Sequence, residues 1–252
     1  MVKYLYMLFL SVLLISCSDK KEIFETDSVS DYMPLSIGKT ITYRLDSTVF
    51  TRGGTVTEVH KYQVRHTITS ETTDNTGRKT FVVKRQLNNE TATGSWVNNG
   101  SYFITPYDKK MEVVDNNLRI IVLQAPFRQG FTWKGNSQLP FAPYGPPLFE
   151  MTTGQQMDAW DFKYTGFGNE SYEGQQYNDV WTVEQQNDIM GLPPTDDTKI
   201  GTKEVSIEKY AKGIGLVYKD FQLYEYQGAG GAGNPSAHYT GFGITMWMVG
   251  HN

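Results

Sequence analysis

The sequence predicts an all-β protein: a single antiparallel, strongly curved sheet of about ten strands in a meander, a barrel or half-barrel, behind an N-terminal leader. Three observations carry this. Apolar and polar residues alternate with period two in one segment after another. Thr, Gly, Tyr and Asn are plentiful, with 24 Gly and 16 Tyr among 252 residues, a composition that favours pleated strands and tight turns. Beyond the leader no helical apolar period appears. A chain of this length can form one all-β unit, and the domain is placed at residues 32–252.

The elements follow in order. Within residues 56–68, Tyr62, Val64 and Ile68 share one face while Lys61, Gln63, Arg65 and Thr67 share the other, as in a half-buried strand. Phe81, Val83 and Leu87 repeat the pattern after a turn at "DNTG", residues 74–77. Asn99-Gly100 in "VNNGSY" reads as a hairpin turn, since both residues tolerate positive φ. "DNN", residues 115–117, separates strands at 111–114 and 118–123 in the same way. Further strands are expected at 160–167, 177–184, 202–210, 216–226 and 239–249. In the last, Phe242, Ile244, Met246 and Met248 share a face, and Gly241 and Gly243 on the other face let a sheet bend or another chain approach closely. These four side chains, with Tyr62, Val64, Ile68, Phe81 and Val83, are expected to line the concave face. A wide barrel could hold an apolar ligand there, whereas a narrow one fills with side chains.

The N-terminus carries its own signal. Lys3 precedes an eleven-residue apolar run, residues 5–15, which suits a signal-peptide core and is too short to span a bilayer. It ends in Leu14-Ile15-Ser16-Cys17, which resembles the bacterial lipobox. The resemblance implies cleavage after Ser16 and acylation of Cys17, the single cysteine in the chain, with several acyl chains giving a stable anchor. Residues 17–31 then form a lipidated cysteine and polar tether. With Cys17 acylated, disulfides, thiolate nucleophiles and cysteine-based zinc sites are excluded. Loss of Lys3 with the leader takes the formal net charge from −4 to about −5, and no basic cluster marks a nucleic-acid surface. No metal or cofactor is expected beyond the lipid on Cys17.

The remaining motifs are weak. "GAGGAG", residues 228–233, matches the letters of a dinucleotide loop but lies between strands, so it reads as a hairpin loop. His60 and His66 share the apolar face of their strand. Six residues at ~3.3 Å separate them by about 20 Å, too far to share a metal, so each reads as a hydrogen-bonded wall residue. Glu150, Asp158, Asp161 and Glu173 flank Trp160 as a sugar-binding or glycosidase face would require. "PLSIGKT" (34–40) and "PFRQGFT" (126–132) share Pro, Gly and Thr at one spacing, 92 residues apart. That fits either two related halves or one generic turn device used twice. Residues 124–156 hold four prolines in "PFAPYGPP" and many aromatics. Trp133, Phe141 and Tyr144 there could form a binding surface, or the loop could cover one open end of the sheet.

The leader, the tether, "DYMPLSIGKTITYRLD", "YNDVWTVEQ" and "YAKGIGLVYKD" together resemble small Bacteroidota cell-envelope lipoproteins of unknown function. The resemblance implies a curved antiparallel sheet and supplies no catalytic residue. Ser18-Asp19 looks unlike the inner-membrane retention rule of other Gram-negative lipoproteins, which points to the outer membrane with its periplasmic and surface sides both open. The expected function is a non-enzymatic binding or accessory module for a glycan, an apolar molecule or an envelope protein. The alternatives are an assembly subunit of an outer-membrane complex and a glycan hydrolase.

Overall fold

The computed structural model describes residues 27–230 and 236–252; Cys17 and the second half of "GAGGAG" lie outside them. Helix α1 (Val29–Tyr32) opens the described chain, started by a capping box in which Ser28 and Asp31 satisfy each other's backbone N–H groups. Both Val29 and Tyr32 are buried. The Tyr32 hydroxyl donates to Asp27, 3.0 Å, which also pairs with Lys212, 2.6 Å. Residues 27–31, expected to belong to the tether, are therefore part of the folded domain: an apolar residue on each end of one helical turn is enough to dock it.

Twelve strands follow: β1 (Thr40–Thr51), β2 (Val56–Thr73), β3 (Lys79–Asn89), β4 (Val97–Pro106), β5 (Lys110–Asp115), β6 (Leu118–Gln124), β7 (Thr132–Trp133), β8 (Phe162–Tyr172), β9 (Gln175–Met190), β10 (Gly201–Ala211), β11 (Gly215–Gln227) and β12 (His238–His251). They form one sheet in which each strand pairs antiparallel with its sequence neighbours, β12 closes onto β1, and β6 and β7 are the two edges. The result is an up-and-down barrel with a single seam. Local groups bridge that seam. Ile121 N–H donates to the Gly135 carbonyl at 2.9 Å, the Trp133 indole donates to the Ile121 carbonyl at 2.8 Å, and the Tyr164 hydroxyl donates to the Gln124 carbonyl at 3.0 Å. Near-closure removes most of the exposed edge that an open sheet would present.

The expected curvature is met, and two of the twelve strands, β1 and the two-residue β7, exceed the expected ten. The alternation in β1 is nonetheless present, with Tyr43 and Leu45 facing Val64 and Tyr62 across the ladder. One turn is misplaced. Asn99 and Gly100 lie inside β4, where Gly100 has φ +88° and the ladder to β3 slips between Lys84 and Gln86. The dipeptide serves a bulge, to which Arg85 donates through its Nε at 2.9 Å to the Asn99 carbonyl. The β3–β4 turn instead uses the Asn88 and Asn89 side chains, which bind Gly94 and Thr93. At "DNN" the expected turn is present, with Asn116 and Asn117 at φ +50° and +62°.

The paired motifs are structurally equivalent. Gly38 and Gly130 both have positive φ and donate to the carbonyls of Ile68 and Tyr164 respectively, each at 2.8 Å. Ile68 and Tyr164 return bonds to Lys39 and Phe131, and Thr40 and Thr132 begin β1 and β7. Each six-strand half of the barrel thus starts with the same turn and the same cross-strand exchange.

Candidate functional site

The segment between β7 and β8 determines what the barrel can do, because it packs inward. Trp133, Leu139, Met151 and Met157 are buried with Phe81, Val83, Tyr164 and Leu223. The Tyr144 ring meets Phe221 and Phe242 at 5.7 and 5.3 Å, and Phe149 stacks on Phe242 at 5.3 Å. Such contacts between aromatic rings add to simple area burial. Of the three residues expected to present a surface, Trp133 and Tyr144 are therefore interior packing residues, and only Phe141, 52% exposed, faces solvent. The covering role is the one realised.

Two carboxylates hold this segment in place. Glu225 of β11 is 2% exposed, and its Oε2 accepts the backbone N–H and the hydroxyl of both Thr152 and Thr153 within 2.8–3.0 Å. Burial works against its charge, but bonds from Gln227, Thr153 and Thr152 outweigh it and hold the carboxyl below its ordinary range. Glu204 of β10 accepts Gly154 N–H at 2.7 Å. Gly154 has φ +79°, and a Cβ there would lie 2.8 Å from Leu223 Cδ2, so only glycine fits the approach.

Where this segment meets β9 and β10 it leaves an outward cleft of about 500 Å³. The strand side contributes Glu184, Gln185, Gln186, Asn187 and Glu204, and the loop side contributes Gln155, Gln156, Trp160 and Asp161. The strand side is braced: Ser206 donates to Gln185 Oε1 at 2.7 Å, Gln186 Nε2 to Glu204 at 3.4 Å and Asn187 Nδ2 to Glu184 at 3.3 Å. Asp161 pairs with Lys134 at 2.9 Å. A second groove of about 370 Å³ lies beside Phe50, Leu148, Phe149 and Tyr239.

The interior also contains polar groups. Glu208 takes Lys219 at 2.9 Å and the Tyr210 hydroxyl at 2.5 Å. Burial alone would lower the Lys219 ammonium, and Glu208 more than restores it. Burial, helped by Arg85 and Lys219, drives His66 down to about 3. Its Nδ1 meets the Tyr102 hydroxyl at 3.1 Å, so His66 is the wall residue expected, held neutral. His60 is not: its side chain is 45% exposed and pairs with Glu58 at 2.9 Å, because the end of β2 extends past the packed interior.

The four residues of β12 do face inward. Met246 and Met248 pack with Tyr43 and Val64, Ile244 against the same cluster, and Phe242 with the covering loop. Tyr62 is half-buried opposite Leu45. The acidic group does not converge. Glu173 pairs with Arg44 on the β8–β9 turn, Glu150 lines the second groove and Asp161 lines the first. The cleft residues missed in the sequence had one visible sign, the doubled amides Gln155-Gln156 and Gln185-Gln186. Among the described residues no group of three or more acidic, His or Cys side chains is arranged to hold a metal.

No family model and no curated protein matches the chain. Among solved structures, the chain is similar to one from Bacteroides fragilis NCTC 9343, described as a presumed exported protein with a YmcC-like fold. The match has 10% identity and a TM-score of 0.39, and covers 87% of this chain and 97% of that one.

Proposed function

We infer that this is a cell-envelope lipoprotein, held by acyl chains on Cys17 at the outer membrane of a Gram-negative bacterium, whose barrel serves as a non-enzymatic binding or accessory module. The anchor rests on Leu14-Ile15-Ser16-Cys17 at the end of a short apolar run. The observation that carries the binding role is the filled interior. Residues 124–156 pack into the barrel through Trp133, Tyr144, Phe149 and Met151, which supports contact with other molecules at the outer surface. This favours a polar ligand or an envelope protein over an enclosed apolar guest. The cleft carboxylates Glu184 and Glu204 accept hydrogen bonds from neighbouring N–H groups, which hold them in the cleft wall.

The test is Cys17→Ser, which removes the sulfur that accepts diacylglycerol. The wild type should incorporate labelled fatty acid and fractionate with outer membranes, and the variant should do neither. A variant that remains lipidated and membrane-bound contradicts the anchor.

A further inference from the structure

We propose that the cleft between β9, β10 and residues 155–161 binds a neutral oligosaccharide, which deepens and rests on the binding role inferred above. Its volume, about 500 Å³, lies in the ordinary range for small-ligand sites. Half of its lining residues, Gln155, Gln156, Gln185, Gln186 and Asn187, carry primary amides. An amide offers donors and an acceptor together, which matches a sugar hydroxyl that needs both.

The groups left free decide the ligand class. Gln155 and Gln156 are exposed, and their side chains make no hydrogen bond to the described residues. Gln185 uses only its oxygen, on Ser206, which leaves its NH₂ to donate. The carboxylates are already engaged: Glu204 by Gly154 and Gln186, Glu184 by Asn187, and Asp161 by Lys134. A cationic peptide would have to compete with Lys134 and with the N–H groups that those carboxylates already accept. An anionic glycan would meet Glu184 and Glu204, which no Lys or Arg among the described residues pairs. Trp160, mostly buried, supplies an apolar floor beneath the polar rim.

The experiment uses detergent-solubilised full-length protein, titrated calorimetrically with maltohexaose, cellohexaose, laminarihexaose and xylohexaose, and separately with polygalacturonate and pentalysine. At least one neutral hexasaccharide should bind, and polygalacturonate and pentalysine should not. The double variant Gln155→Ala, Gln156→Asn should weaken that binding about tenfold, through loss of amide hydrogen bonds. Asn is chosen at 156 because that residue has φ +57°, which Asn tolerates, and unchanged thermal unfolding verifies the fold. Binding of pentalysine in preference to the sugars, absence of binding across the neutral panel, an unaffected double variant, or hydrolysis of the bound sugar would each overturn the proposal. None of these outcomes depends on the Cys17→Ser result, so the two readings fail separately.

Discussion

Glu225 illustrates how much one side chain can hold at the scale of a residue. Four donors from Thr152 and Thr153 converge on one oxygen. Removing the acceptor leaves the buried N–H and hydroxyl of Thr153 unpaired, and such groups cost about 1–3 kcal/mol each. Glu225→Ala should therefore destabilise the protein by about 3 kcal/mol in urea unfolding at pH 7, and Glu225→Gln by less. Because the folded carboxyl sits below its unfolded value, its contribution is present above pH ~4.3 and is lost as the pH falls through the folded value. The penalty of Glu225→Gln should shrink accordingly at low pH. His66 acts through burial with the charge removed. Its folded value near 3 lies below the ordinary 6.5, so the unfolded chain takes up the proton first as the pH falls. Its effect on stability is flat above pH 6.5. Stability then declines by about 1.4 kcal/mol per unit, or ~2 kcal/mol at pH 5. His66→Phe should flatten the unfolding profile between pH 6.5 and 5, and an unchanged slope would show that His66 is protonated in the fold.

At the scale of an element, the covering segment depends on Gly154. Gly154→Ala places a Cβ against Leu223 in a left-handed backbone and should cost about 1–3 kcal/mol. Limited proteolysis should then cut within residues 136–151 faster than in the wild type while the strands survive. The sequence revealed the strands through alternation, and the inward set Phe242, Ile244, Met246 and Met248 was readable from period two alone. Asn99-Gly100 misled because the same positive-φ chemistry serves a turn and a bulge. The orientation of the Pro-rich segment was not readable. Lacking any period, it gives no sign that Tyr144 turns in while Phe141, three residues away, stays 52% exposed. The cleft lay equally out of view, since only the sheet brings Gln155-Gln156 beside Gln185-Gln186, and Glu225 looks in sequence like any strand carboxylate.

At the scale of the whole molecule, two six-strand halves close on each other at β1 and β12 and leave the seam where the chain crosses from β6 to β7. Within the second half, Gly241, with φ +110° and a would-be Cβ 2.3 Å from the Leu223 carbonyl, lets β12 press against β11. The filled interior predicts that Met246→Trp, at a site 6% exposed, overpacks the core and lowers stability by about 1–3 kcal/mol in thermal or urea unfolding. A stable Trp variant would reveal an empty cavity and return attention to an apolar guest. The anchor at Cys17 decides where such a barrel is held, and the most direct test is the intact mass of the protein purified from membranes. The expected species begins at Cys17 and carries two or more acyl chains on that residue. A chain that retains residues 1–16, or one cut elsewhere with an unmodified Cys17 thiol, would overturn the lipid anchor.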